Sequence, residues 1–426
     1  MSLLVAGLLL LCLTLLGMPL FVIIGSLAML LFASSGGEAK FVIAELTRLA
    51  EFPSLIAIPL FTFAGYLLAE SQSPRRLVTL VQALVGRVPG GLAVTALLCC
   101  AVFTAFTGAS GVTIVALGGL LFPILRSDGF SENFSLGLLT TTGSLGLLFP
   151  PSLAIILYGL IAQISVDKLF IAGLVPGFLL IVVLGAYATI VSRRTKKPAR
   201  ERRPGEITAA LKAAAWELPL PFLVIGGIYG GFITATEAAS VTAFYVLMIE
   251  VFIYRDLRLF RDVPRVVEKS MLLVGAIFVV MGMSLGLTNY FIDEQIPQQL
   301  FAWIRQFIEN RYTFLVLLNG VLLIINMVEI FSAIIIVVPL IIPIAHQYGI
   351  DPVHLGIIFL LNLEIGYMLP PFGLNLFIGS VRFERPLTRM YRATLPFMAI
   401  LFAMLLLVTY VPDLCLWLVG PGTPPQ

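Results

Sequence analysis

The chain is a succession of apolar runs punctuated by short charged clusters. A helix rises about 1.5 Å per residue and a bilayer core is about 30 Å thick, so roughly 20 apolar residues make one crossing. Full crossings are predicted at about 217–233, 239–254, 270–288 and 393–416, within a total of nine. The opening MSLLVAGLLLLCLTLLGMPLF has no basic n-region and no small-residue cleavage site, so it reads as a first membrane helix rather than a removed signal. One run breaks the rule. From Val88 to Leu125 there are 38 positions without Asp, Glu, Lys, Arg or His. As one straight helix these would span about 57 Å, far more than the bilayer. Thr107-Gly108-Ala109-Ser110-Gly111 lies at the centre, where glycine permits a tight reversal, so a re-entrant hairpin with a small polar tip is predicted.

Composition supports a membrane protein. Hydrophobic residues make up 59% and charged residues 12% of the 426, against roughly 25% charged in soluble domains. Mean hydropathy is +1.05. With 26 basic and 23 acidic residues, the balance excludes a nucleic-acid binder or a polybasic surface protein. Cys12, Cys99, Cys100 and Cys415 lie in apolar runs with neither metal spacing nor a disulfide framework.

Basic residues gather on the cytoplasmic side of membrane proteins. That rule places 192–212, the loop with Arg255, Arg258, Arg261, Arg265 and Lys269, and the loop with Arg382, Arg385, Arg389 and Arg392 inside. Arg75, Arg76 and Arg87 and the N-terminus are also inside. The segments 38–51 and 290–311 and the C-terminus lie outside, with 38–51 read as an interfacial helix.

Residues 123–151 and 343–371 match at a constant offset of 220. Pro123 pairs with Pro343, Gly129 with Gly349, Gly146 with Gly366, and Pro150-Pro151 with Pro370-Pro371. Under the charge-derived topology the two copies run in opposite directions, the signature of secondary transporters whose sites form where the repeats meet. The second hairpin is predicted over about 312–345, its tip at Asn326-Met327-Val328-Glu329. Each Pro-Pro pair breaks a membrane helix and frees backbone carbonyls. Exposed backbone at membrane depth survives only where protein or an ion satisfies it. Two tips facing two broken helices therefore make two pockets of oxygen ligands suited to sodium.

These motifs resemble the large membrane subunit of the tripartite ATP-independent periplasmic (TRAP) transporters. They are Ile58-Pro59-Leu60-Phe61 with Ala64-Gly65, TGASG at the first tip, GSLGLLFPPS at 143–152, GGFITATEAASV at 230–241, and the stretch 339–377. The likeness covers essentially the whole chain. It implies an all-α integral membrane protein, an inverted-repeat elevator-type transporter with two re-entrant hairpins and two broken helices, in the bacterial inner membrane. It also implies sodium-driven import of a small organic acid, of the C4-dicarboxylate or sugar-acid class. A periplasmic binding protein delivers the acid, and a small four-helix membrane subunit, expected here as a separate polypeptide, completes the scaffold. No cofactor is expected beyond sodium as the coupling ion.

The implied division is 1–87 scaffold helices and arm, 88–170 first transport repeat, 171–290 scaffold helices, 291–381 second transport repeat, and 382–426 C-terminal helix. Carried over by position, the first sodium site uses Thr104, Thr107 or Ser110 with backbone around Gly146, Phe149 and Pro150. The second uses Asn326, Glu329 and Ser332 with backbone around Gly366 and Leu369. Thr104 and Thr107 stand where the family often has serine, Leu369 where threonine is frequent, and Asn326 where glycine is usual.

Thr140, Thr141, Thr142, Ser144, Asn362 and Asn375 are candidate donors to a substrate carboxylate. Since no arginine is found inside a transport span, helix N-termini, hydroxyls and sodium are left to meet the substrate's charge. An intramembrane charge costs at least ~2.5 kcal/mol, so Glu329, Glu364 and Glu237 each need a partner or a role. Glu237 reads as a helix cap, and His346 and His354 as residues flanking a surface turn. Gly108-Ala109-Ser110-Gly111 also fits the GxSG of intramembrane serine proteases, but no histidine base lies near it in sequence. A passive channel and a sodium-coupled elevator transporter of another family, working without a binding protein, are the remaining alternatives.

Overall fold

The computed structural model describes residues 12–13, 17–36, 40–49, 52–86, 90–193, 205–326, 330–371 and 373–419. All regular structure among them is helical. The chain opens with α1 (Leu20–Ser34), the short α2 (Lys40–Arg48), α3 (Ala57–Glu70) and the amphipathic α4 (Ser73–Val85). A hairpin follows, made of α5 (Gly91–Thr107) and α6 (Ser110–Ser127). Then come α7 (Glu132–Thr142), a 3-10 turn Leu145–Leu148, and α8 (Leu153–Ala162), the two halves bent by 43°. The middle of the chain holds α9 (Val166–Arg193), α10 (Glu206–Ala213), α11 (Pro219–Tyr229), α12 (Ala235–Met248, running on as a π-helix to Ile253) and α13 (Val263–Asp293). The second half repeats the first: α14 (Ile296–Arg305), α15 (Arg311–Ile325), α16 (Ile330–Gln347), α17 (Pro352–Gly366), α18 (Leu374–Phe383), α19 (Leu387–Tyr410) and the short α20 (Asp413–Leu416).

The helix boundaries carry the same offset as the glycines and prolines. α5 starts at 91 and α15 at 311; α6 runs 110–127 and α16 runs 330–347; α7 starts at 132 and α17 at 352, a shift of 220 each time. Side-chain bonds fix the relative direction. Glu132, at the start of α7, pairs with Arg385 (2.5 Å), just past the end of α18, and with Arg389 (2.8 Å) in the first turn of α19. At the other end of the molecule the Tyr158 hydroxyl of α8 donates to the Pro352 carbonyl at the start of α17 (3.0 Å). The two broken helices are therefore antiparallel, and the repeats are inverted.

Both hairpins turn back on themselves. Gly108 ends α5 with φ +64°, and the Thr104 and Thr113 hydroxyls meet across the turn at 2.7 Å. In the second copy, Phe314 near the start of α15 stacks on Tyr348 just past α16 (4.3 Å), and the Tyr348 hydroxyl donates to the Ile308 carbonyl. Of the nine expected crossings, the first lies largely outside the described residues. By length and composition, five described helices (α6, α9, α12 with its π extension, α13 and α19) suffice to cross a membrane, or six with α7 and α8 taken as one bent span. The predicted crossing 217–233, rich in glycine, holds only the 11-residue α11, about 16 Å long.

Val353 to Gly366 of α17 and Phe134 to Thr142 of α7 are buried throughout, so the first halves of the broken helices run through the centre. α13 forms the opposite wall, packed on α1, α2, α3 and α16. At the end bearing the basic loops, Arg76 of α4 is held by Glu217 (2.7 Å), Glu250 (2.9 Å) and Asp256 (2.7 Å), and its guanidinium lies 3.8 Å over the Tyr254 ring. Burial opposes the charge on Arg76, but the carboxylates around it prevail and raise its pKa. Burial likewise pushes the Glu217 carboxyl above its usual range, with Arg76 pulling the other way.

A hairpin, a broken helix and a cavity

The first hairpin meets the first break through backbone. A methyl group on Gly146 would lie 2.4 Å from the Ala101 carbonyl oxygen and the Ala105 nitrogen. The contact brings oxygens together in a buried place. The Thr104 hydroxyl donates to the Gly143 carbonyl (2.9 Å), the Thr113 hydroxyl is 2.7 Å from Thr104, and Thr107 is 3.5 Å from Thr113. All three threonines are buried. Such a set of neutral oxygens suits a hard cation. Thr113 is absent from the sequence reading, although it lies only three residues beyond Ser110. The Gly146 carbonyl accepts from Phe149 N and the Phe149 carbonyl from Ser152 N, while buried Pro150 begins the second half of the break. Ser110 turns elsewhere. Its hydroxyl donates to Asn375 Oδ1 (2.7 Å), and Asn375 in turn donates to the Thr140 carbonyl, tying the first tip to both repeats.

The second copy has the same backbone contact with different chemistry. A methyl on Gly366 would lie 2.6 Å from the Asn326 carbonyl oxygen. Asn326 is buried, and both its side-chain atoms lack a hydrogen-bond partner among the described residues. Ser332 is buried nearby in sequence, and the Leu369 carbonyl accepts from Gly373 N. Glu329 lies outside the described residues. Glu364 is 1% exposed and its Oε1 has no partner among the described residues.

A cavity of about 620 Å³ runs from the first hairpin tip to the far wall. Gly108, Ser110, Phe331, Tyr367 and Ile378 line it from the two repeats; Tyr66, Glu70 and Lys269 line it from α3 and α13. Of the expected substrate donors, Thr140, Thr141, Thr142, Ser144, Asn362 and Asn375 are all buried, and none lines this cavity. The Ser144 hydroxyl donates to the Thr141 carbonyl, and the Thr142 hydroxyl reaches the Leu139 carbonyl at 3.5 Å. Asn362 donates to Asn319, which donates to Thr409, so it faces the second hairpin and α19.

One other reading changes. His354 is not at a surface turn; it is fully buried, its Nε2 2.9 Å from the Val408 carbonyl, because α19 packs over the start of α17. Glu237 is the expected cap, closing a capping box with Thr234. The glutamate overlooked in an apolar span is Glu250, fully buried on Arg76.

The sequence model of the DctM component of tripartite ATP-independent periplasmic transporters matches residues 6–414. The chain belongs to that family. It is 38% identical over 394 residues to the C4-dicarboxylate TRAP transporter large permease protein DctM of Pseudomonas aeruginosa, covering 92% of each chain. To the ectoine/5-hydroxyectoine TRAP transporter large permease UehC of Ruegeria pomeroyi it is 33% identical, over 86% of each. To the isethionate permease DctMQ of Oleidesulfovibrio alaskensis it is 34% identical, over 95% of this chain and 64% of the longer relative. Among solved structures, the Alcanivorax borkumensis YdaH transporter superposes with a TM-score of 0.63 at 16% identity, covering 89% of each chain. The chain is thus a TRAP-type large permease, a multi-pass membrane protein and not an enzyme. The serine-protease reading of Ser110 falls.

Proposed function

We propose that this permease couples sodium entry to import of a small organic acid, carried by an elevator movement of the two repeats against a scaffold of α1–α3 and α11–α13. C4-dicarboxylates are the first candidates, by likeness to the Pseudomonas relative. The observation that carries the reading is the pair of inverted contacts, Gly146 on α5 and Gly366 on Asn326, each setting oxygen-bearing groups beside a broken helix. Sodium would be met at the first contact by the hydroxyls of Thr104, Thr107 and Thr113 with the Gly143 carbonyl. At the second it would be met by Asn326 and the backbone near Gly366. With the basic loops read as cytoplasmic, the N-terminus would lie in the cytoplasm and the C-terminus in the periplasm. The cavity, which reaches the end bearing those loops, then faces the cytoplasm. A periplasmic binding protein would deliver the acid, and a small membrane subunit would complete the scaffold. The extra length of the DctMQ relative leaves room for such a second component.

In proteoliposomes, uptake of radiolabelled succinate, or of the acid that copurifies with the cognate binding protein, should require three things together. These are an inward sodium gradient, the small subunit and the loaded binding protein. Uptake by this chain alone, indifferent to sodium, would refute the proposal.

A further inference from the structure

Among the described residues, the cavity holds one ion pair. Lys269 Nζ on α13 lies 2.5 Å from Glu70 Oε1 at the end of α3, and Lys269 is the only cation lining the cavity among the described residues. Both side chains are about half exposed, at 54% and 44%. Such a pair is weakly held, because water and salt compete for each partner. Lysine suits an exchangeable role, with three donors on a flexible stem and no fixed fork. Lys269 sits in the second turn of α13, next to the basic loop that precedes it. The hairpin tip lines the same cavity.

We propose that Lys269 is an anion-pairing residue on the wall of the cavity, kept neutral by Glu70 and handed over to a carboxylate or sulfonate of the cargo. The assignment rests on the transport reading above and adds to it a residue of the scaffold. An acid leaving the tip exchanges one oxygen anion for another on the same ammonium, and the displaced Glu70 carboxylate, about half exposed, is left to water. Because α13 belongs to the wall and not to the repeats, Lys269 meets cargo only while the cavity faces it.

The test reads the electrostatics of the cavity without cargo, partner proteins or a sodium gradient, so its failure and the failure of the uptake experiment are separate results. Val115 lines the cavity and is half exposed. Val115→Cys is placed in a Cys12→Ser background, since Cys12 is exposed and the other three cysteines are buried. The full chain in proteoliposomes is labelled with a methanethiosulfonate bearing a sulfonate, one bearing a trimethylammonium group, and neutral methyl methanethiosulfonate. A unit charge on the order of 10 Å away, in a medium between protein and water, changes each charged rate on the order of four-fold. Lys269→Gln should slow the sulfonate and speed the cationic reagent by that factor, and Glu70→Gln should do the reverse. Lys269→Arg should restore the original ratio. The proposal is overturned if the ratio of sulfonate to cationic rates is unchanged in both variants. It is equally overturned if the neutral reagent shifts with the charged ones, since the effect would then be steric.

Discussion

Gly146→Ala tests the first of the proposed sodium contacts most directly. The added methyl would lie 2.4 Å from the Ala101 oxygen and the Ala105 nitrogen, both backbone atoms inside α5, so no side-chain rotation relieves the clash. Reaching even 3.0 Å requires the hairpin and the break to part by 0.6 Å or more. The Thr104 to Gly143 bond, now 2.9 Å, would stretch to about 3.5 Å, at the edge of hydrogen-bonding range. Overpacking of this kind costs about 1–3 kcal/mol. If that strain is relieved only by opening the oxygen cluster, sodium binding weakens roughly five- to 150-fold, at 1.4 kcal/mol per tenfold. A ligand that binds only the folded state raises the unfolding midpoint with its concentration. Thermal unfolding of the purified chain is therefore followed against sodium chloride, with choline chloride holding ionic strength constant. The Gly146→Ala curve should be displaced to higher sodium by that factor. Gly320→Ala in α15, where a methyl meets nothing within 4 Å, serves as the control and should follow the wild type. Coincident curves for Gly146→Ala and wild type would show that the contact does not shape a sodium site.

Arg76→Gln leaves Glu217, Glu250 and Asp256 facing one another with no cation, and breaking a buried pair costs about 3–5 kcal/mol. The unfolding midpoint should fall sharply, and adding Glu250→Gln should recover part of the loss; a surface-like change of a few tenths of a kcal/mol would mean the cluster is solvated. The raised pKa of Glu217 fixes the sign of a pH effect. A carboxyl whose folded pKa exceeds its unfolded one contributes stability that is complete below the ordinary carboxylate range and is lost as pH rises through the folded value. The stability gap between wild type and Glu217→Gln, measured from pH 4 to pH 8, should therefore move against the wild type as pH increases, and the opposite slope would contradict the assignment.

Much of the architecture was legible because glycine and proline specify backbone. Gly146, Gly366 and the two Pro-Pro pairs revealed the repeat, and the helix starts at 91 and 311, 110 and 330, and 132 and 352 follow the same offset. Side-chain direction was not legible. Asn362 and Glu364 both lie in an apolar run, and nothing in that run tells which face meets a cavity and which meets another helix. His354 was misplaced for a related reason: a turn at Gly349 signals the surface locally, while the cover over it comes from α19. Lys269 and Arg76 were used as markers of sidedness, a use that hides their partners, since Glu70, Glu217 and Glu250 arrive from distant parts of the chain.

The repeat conserves backbone and not chemistry, and that difference bears on mechanism. Thr104 stands 220 residues before Ile324, Thr142 before Asn362, Ser144 before Glu364, and Phe106 before Asn326. The first contact is thus lined by hydroxyls and a carbonyl, all neutral, so a monovalent cation there leaves a net positive pocket. The second carries amides with unpartnered atoms, and two residues before Gly366 the buried Glu364 has no described partner. A carboxyl at membrane depth in that condition either keeps its proton or takes a compensating cation. Electrostatics therefore makes the two contacts unequal. If sodium binds as proposed, a cation at the first contact would add charge to the repeats and offset an acidic cargo, whereas one at the second would be offset by an ionised Glu364.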